Sequence, residues 1–240
     1  MNDFSLALGQ ALALVVAGDV EFRDIVALSL RVSATSTLLA CLVGMPVGAW
    51  LAVSRFPGRD LLVAIVNAAL GVPSVVIGLV VYLLLSRSGP FGFLGWLFSP
   101  TAMVVAQTVL IAPMVAALSR QLLQGTWAEY RDQFASWRIP RRVAIGTLIW
   151  DCRVGLVTTA LAAFGRAISE VGAVMTVGGN IAGATRVMTT GIALETSKGD
   201  LPLALGLGIV LIVIVFAVML AAQLLQWRIA QREGASRVGD

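Results

Sequence analysis

Histidine is absent from this chain, lysine occurs once, at Lys198, and cysteine twice, at Cys41 and Cys152. Without imidazole there is no histidine proton relay, no His-dependent nucleophilic triad and no His-based metal site. Cys41 sits inside an apolar block and Cys152 between Asp151 and Arg153, each without metal-ligand neighbours, so neither a disulfide nor a metal site is expected. The one lysine lies in Thr-Ser-Lys-Gly-Asp, not in the Gly-x-x-x-x-Gly-Lys-Ser/Thr loop that cradles nucleotide phosphates. The sequence therefore reads as a non-enzyme, with no cofactor expected and any ATP hydrolysis left to another subunit. Charge is scarce as well. Only 12% of the 240 residues are charged and 58% are hydrophobic, whereas a soluble domain carries about 25% charged residues.

What is present is long apolar helix. Five blocks, near Ile25–Val53, Leu61–Ser86, Pro100–Leu123, Val154–Val177 and Leu203–Trp227, are long enough to cross about 30 Å of hydrocarbon. None alternates with period two, which excludes a β-barrel. The expected class is an all-α integral membrane protein with about five transmembrane helices. Residues 1–24 add a short helix and lead-in. Its apolar run, Phe4–Ala17, is broken by Gly9 and Gln10 and reads as an interfacial or partly inserted helix. This run lacks the basic start and small-residue cleavage site of a signal peptide, so no removal is expected.

Arginine sets the expected orientation. Arg55 and Arg59, then Arg120, Arg131, Arg138, Arg141, Arg142 and Arg153, then Arg228, Arg232 and Arg237 fall on one side, which the positive-inside rule makes cytoplasmic together with the tail 228–240. The opposite side carries Arg23, Arg87, Arg186 and Lys198 among five acids. The net charge of +4 is thus topological. No basic stripe interleaved with stacking aromatics is present, so nucleic acid is not an expected partner.

Pro46, Pro73 and Pro113 fall within apolar blocks, and two readings stay open: ordinary membrane-helix prolines, or hinges of a pore. Gly44-Met-Pro-Val-Gly48 has the small-xxx-small spacing that permits close helix approach, a pattern common by chance in Gly-rich spans. No internal repeat is visible, which counts against an inverted-repeat carrier.

Two segments carry polarity where apolar sequence would be expected. From Ala162 to Asp200 the fourth block contains Arg166, Ser169 and Glu170, then breaks at Gly178-Gly179-Asn180 into a polar loop with Thr185, Arg186, Thr189 and Thr190. A charge in the middle of a membrane helix costs about 2.5–3.5 kcal/mol on insertion scales, so such groups face a bundle interior or an aqueous path. Basic and hydroxyl-bearing groups suit an anion. Arg166 and Glu170, four apart, can pair along one helix face, either as a structural ion pair or as an anion-attracting arginine whose affinity the carboxylate limits. The loop reads as a capped turn.

The second segment, residues 124–153, is amphipathic and too long for a simple connection, where about 2–8 residues suffice. Ile139-Pro140 is expected to divide it into two short helices. It suits either an anionic lipid surface or a partner protein, with Phe134, Trp137, Ile139 and Trp150 as apolar anchors inside a charged rim.

These residues resemble the permease subunits of type I ABC importers for oxyanions, most closely the tungstate branch. The resemblance covers roughly residues 25–226 and rests on Ala163–Ile181 (AFGRAISEVGAVMTVGGNI) and Thr185–Asp200, ending in Ile-Ala-Leu-Glu-Thr-Ser-Lys-Gly-Asp. Ser29-Leu-Arg-Val-Ser33, Gly44-x-Pro-x-Gly48 and Gly71-x-Pro73 support it. It implies the type I importer transmembrane fold over residues 25–227, with 124–153 as the coupling loop that docks on an ATPase subunit. The importer pattern there is Glu-Ala-Ala, three residues, then Gly. Gln133-Phe134-Ala135 align with its start and Ile139 with its glycine, while Asp151-Cys152-Arg153 resembles the Glu-Ala-Arg of tungstate-type permeases.

The resemblance implies ATP-driven import of tungstate, or of molybdate or sulfate by the same machine, by alternating access in the inner (plasma) membrane. The alternative from another class is a stand-alone anion channel or carrier. Implied partners are a second copy of the chain, an ABC ATPase dimer at the cytoplasmic face, a periplasmic oxyanion-binding protein and membrane lipid. Implied path residues are Arg166, Ser169, Glu170, Asn180, Thr185, Arg186, Thr189 and Thr190. Implied ATPase-coupling residues are Glu129, Arg131, Phe134, Ala135, Trp137, Arg138, Ile139 and Arg141.

Overall fold

The computed structural model describes the backbone of residues 2–236 and the side chains of residues 7–227, so the side chains of Arg228, Arg232 and Arg237 in the expected tail lie outside the described residues. Among the described residues there is no strand. Ten α-helices follow in order: α1 Asn2–Ala17, α2 Val20–Val53, α3 Arg59–Ala68, α4 Ser74–Leu85, α5 Pro100–Ser136, α6 Arg141–Asp151, α7 Arg153–Ile168, α8 Gly172–Gly178, α9 Met188–Lys198 and α10 Leu201–Ser236. Three are long and apolar enough to cross a membrane unbroken: α2, α5 and the Leu201–Trp227 part of α10, the last with mean hydropathy 3.2. Bent pairs raise the number of candidate spans to five. Along α10, Ile212, Val213, Phe216 and Leu220 are all more than half exposed. Apolar surface on that scale is stable only against lipid or another apolar partner. The chain is a multi-pass membrane protein.

Helix limits differ from the sequence expectation in three places. The second block is interrupted at Pro73, which cannot donate a backbone hydrogen bond; the residue before it, Val72, is extended at ψ 127°. Pro46 and Pro113, by contrast, lie inside continuous helices. The fourth block is two helices, because α7 stops at Ile168 and α8 begins at Gly172. Finally, α5 runs on to Ser136, so the first short helix expected in 124–153 is the end of a 37-residue helix. The division at Ile139-Pro140 is where it was expected: α6 opens directly after Pro140.

The chain forms two compact units. The first comprises Met1–Ser36, Pro73–Leu110 and Gly165–Ala217. Its core is Val32, Val81, Leu85, Met103, Val174 and Val177 with neighbouring alanines. Here α8 lies so close to α4 that a Cβ on Gly78 would come within 2.8 Å of the Ala173 Cα.

The second unit comprises Thr37–Val72, Ile111–Phe164 and Val218–Asp240. The end of α2 packs on α5 through the Gly44/Gly48 spacing: a Cβ on Gly48 would meet the Ala116 carbonyl at 2.5 Å. Below that contact Leu123, Phe134, Ala144, Leu148 and Cys152 form a core, with Trp127 and Tyr130 rings about Phe134. α6 reaches this core through Ala144 and Leu148 and meets α7 at 70°.

Candidate functional site

The break between α7 and α8 is built from side chains that satisfy the backbone groups a helix end leaves open. Glu170 sits in the break. Its Oε1 accepts the Ala173 N–H at 3.3 Å, and its Oε2 accepts from Arg166 Nη1 at 2.6 Å. The Glu170 side chain is 2% exposed, that of Arg166 45%. The pair is therefore lopsided, a buried carboxylate held by a guanidinium that reaches the surface, with Ser169 exposed beside it.

Neighbouring elements complete the break. The Thr189 hydroxyl donates to the Glu170 carbonyl at 2.7 Å. Gln107 on α5 donates from Nε2 to the Ala167 carbonyl at 2.9 Å and accepts at Oε1 from the Ser36 hydroxyl at 2.7 Å.

The second group of expected residues surrounds the start of α9. Gly179 and Asn180 are both left-handed, at φ 71° and 52°, conformations glycine and asparagine tolerate best. A Cβ on Gly179 would also press within 2.9 Å of the Phe98 ring. Thr185 is buried, donates to the Gly178 carbonyl at 2.6 Å and accepts the Ile181 N–H at 3.0 Å. Thr190 accepts the Val187 N–H at 3.1 Å, and Ser29 accepts the Met188 N–H at 2.8 Å. Asn180 Nδ2 donates to the Thr190 carbonyl at 3.1 Å, while its buried Oδ1 has no protein partner. Arg186 lies 3.4 Å from Glu21 and 3.7 Å from Glu195, which Lys198 also holds at 2.9 Å.

Thr189 and Thr190 thus belong to a helix, not to a polar loop. The hydroxyls of Thr185, Thr189 and Thr190 are engaged with backbone. Arg166 and Ser169 are the exposed members of the set.

In the 124–153 segment, Glu129, Arg131, Ala135, Trp137, Arg138 and Arg141 are exposed, whereas Phe134 is buried and Ile139 half-buried against the unit's own core. Phe134 and Ile139 are therefore internal supports, and of the four expected anchors Trp137 and Trp150 point outward, 70% and 68% exposed. The left-handed residue of the turn is Arg138, at φ 53°. This conformation favours glycine, and it falls one residue before Ile139.

No protein-family model matches the chain. Individual proteins do. The tungstate uptake system permease TupB of Peptoclostridium acidaminophilum is 40% identical over 87% of this chain and 91% of its own length. TupB of Campylobacter jejuni is 35% identical over 86% and 87% respectively. A probable anion ABC transporter permease of Haloferax volcanii is 37% identical over 89% and 94%. The chain belongs to the ABC transporter permeases of the tungstate uptake family.

Sequence reasoning missed part of this permease's site. Ser36 and Gln107 hold the helix break, and Glu21 and Glu195 hold Arg186. Gln107 had a readable signal: it is an amide inside an otherwise apolar block, and such groups in membrane helices have a buried partner. Gln107→Leu is expected to remove its hydrogen bonds with the Ser36 hydroxyl and the Ala167 carbonyl, while that hydroxyl keeps the Val32 carbonyl and the Ala167 carbonyl keeps the Glu170 N–H. The cost is about 1–3 kcal/mol, to be read as earlier unfolding of the purified permease, with no loss if the amide were idle.

Proposed function

We propose that this permease imports tungstate, or a similar tetrahedral oxyanion, as two copies worked by an ABC ATPase dimer and supplied by a periplasmic binding protein. In this reading the membrane is the inner (plasma) membrane. The C-terminus and the 124–153 segment face the cytoplasm, as the arginine distribution supports. Tungstate enters from the names of the relatives. More remote relatives, named for sulfate and molybdenum transport at 27% and 30% identity, favour a second reading with those cargoes.

The observation that carries the reading is the lopsided Arg166–Glu170 pair. A path must attract a divalent anion without trapping it. A guanidinium half open to the surface and half neutralised by a buried carboxylate meets that need. Ser169 and Asn180 are assigned with it to the proposed path. Thr185, Arg186, Thr189 and Thr190 shape the path by fixing its backbone. Glu129, Arg131, Ala135, Trp137, Arg138 and Arg141 form the proposed docking face for the ATPase, held from behind by Phe134 and Ile139.

The test is uptake of tungstate, molybdate and sulfate into proteoliposomes containing the permease, its ATPase and the binding protein. Uptake at least tenfold faster with ATP than without is expected. Equal uptake without nucleotide would overturn the ATP-driven reading, and a preference for another anion would change the cargo alone.

A further inference from the structure

Two adjoining cavities in the second unit, of about 380 and 390 Å³, share Val53, Arg55, Trp127 and Arg131 as walls. The first is completed by Phe56, Arg59, Asp60 and Gln124 among others, the second by Asp132, Ala135 and Arg141. Four arginines therefore line these cavities against two aspartates, which pair with Arg59 at 3.0 Å and Arg131 at 3.4 Å and leave Arg55 and Arg141 with no carboxylate partner among the described residues. Asp60 and Asp132 side chains are 96% and 86% exposed, whereas Arg59 is 20% exposed and fixed by donating from Nε to the Leu51 carbonyl at 2.9 Å. What remains is the net positive charge of Arg55 and Arg141 in a concave site, where low-dielectric walls strengthen its hold on an anion.

The rim is apolar and aromatic. Phe56 stacks on Trp50 with ring centroids 4.7 Å apart, and Trp50 is 44% exposed. Trp127 forms a wall of both cavities. Aromatic rings beside arginines at the end of an apolar helix mark the level of lipid headgroups. The hollow lies where α2 ends, at Val53, and where α5 passes from apolar to amphipathic sequence at Gln124.

The geometry points to a binding site for a phosphate-type oxyanion in this hollow, supplied by the headgroup of an anionic phospholipid whose chains lie along the apolar surface near Trp50. Basic pockets between membrane helices take anionic headgroups in this way. A guanidinium offers the planar, forked donors that a phosphate accepts. Free phosphate or a free tetrahedral oxyanion has the same chemistry, and the experiment separates these sources. The site shares no residue with Arg166, Glu170 or the α9 turn, whereas its Arg131, Ala135 and Arg141 belong also to the proposed docking face for the ATPase.

Full-length permease is placed in nanodiscs of equal phosphatidylglycerol and phosphatidylcholine, and retained molecules are identified by native mass spectrometry. Parallel samples hold phosphatidylcholine alone, with added inorganic phosphate or tungstate. Phosphatidylglycerol is expected to be retained in preference to phosphatidylcholine. Arg55→Gln should weaken that retention about fivefold, the fold-change that corresponds to about 1 kcal/mol for one arginine at an anionic surface. Arg141→Gln should act similarly from the second cavity, and Arg55→Lys should keep most of the binding.

If phosphate or tungstate shows the Arg55 dependence and phosphatidylglycerol does not, the anion site stands with a soluble source. Retention equal in the parent and both glutamine variants, for lipid and free anion alike, would overturn the site. A further sample adds the ATPase dimer, and lipid retention lost on that addition would likewise overturn the site by giving the hollow to acidic side chains of that partner.

Discussion

Arg166→Met is expected to destabilise the permease by about 3–5 kcal/mol, because it leaves the Glu170 carboxylate buried and unpaired. Only the 3.3 Å hydrogen bond from the Ala173 N–H would remain to hold that charge. The converse change should be mild. Glu170→Gln keeps an acceptor for Ala173 and leaves a guanidinium that is already 45% exposed, so the loss should be about 1 kcal/mol, in the range of solvent-exposed pairs. Combining the two removes the buried charge, and the double variant should recover most of the stability lost in Arg166→Met. Such non-additivity is the mark of a direct pair. Uptake then separates the roles. If Arg166 draws the anion, the double variant folds yet transports at least tenfold more slowly. If uptake returns with stability, the pair is purely structural and the path must be sought elsewhere.

The membrane class was legible because spanning a bilayer demands long apolar runs, and nothing else in a sequence looks like them. Helix ends were harder. At Gln124 the composition changes sharply, but that change marks where apolar surroundings end, not where the backbone bonds stop, and α5 continues for three more turns to Ser136. The turn at Ile139-Pro140 was readable because proline acts on its immediate neighbour.

The break after Ile168 was not. No proline lies there, and the groups that satisfy it come from Gln107, 60 residues back, and Thr189, 19 residues on. The same holds for the threonines. A hydroxyl-rich stretch looks like a solvated lining until its partners are seen to be local backbone groups. Glycine spacing at Gly44 and Gly48 was a weak sign in sequence, yet it marks a contact with no room for a Cβ. Arg138 shows the reverse case. Its left-handed backbone could not be read from an arginine, and only the structure shows it.

Trp137→Ala should abolish coupling while sparing the fold. Its indole is 70% exposed, and truncating an exposed side chain changes stability by within about 0.5 kcal/mol. A tryptophan that fills a partner's cleft is worth about 2 kcal/mol or more, so ATP-driven uptake should fall about 30-fold, with ATP hydrolysis no longer stimulated by the loaded binding protein. Two neighbours supply the controls. Phe134→Ala removes a buried ring from a stacked aromatic cluster and should cost about 3–5 kcal/mol of stability. Arg138→Gly relieves a left-handed arginine and should raise stability by about 1 kcal/mol, while removing a charge from the docking rim and weakening coupling. Stability and coupling are thus separable within the five residues 134–138: one change lowers stability, one lowers coupling, and one raises stability while lowering coupling. A Trp137→Ala permease that couples normally would show that the ATPase grips some other surface, and the exposed face of 124–153 would then be free for lipid.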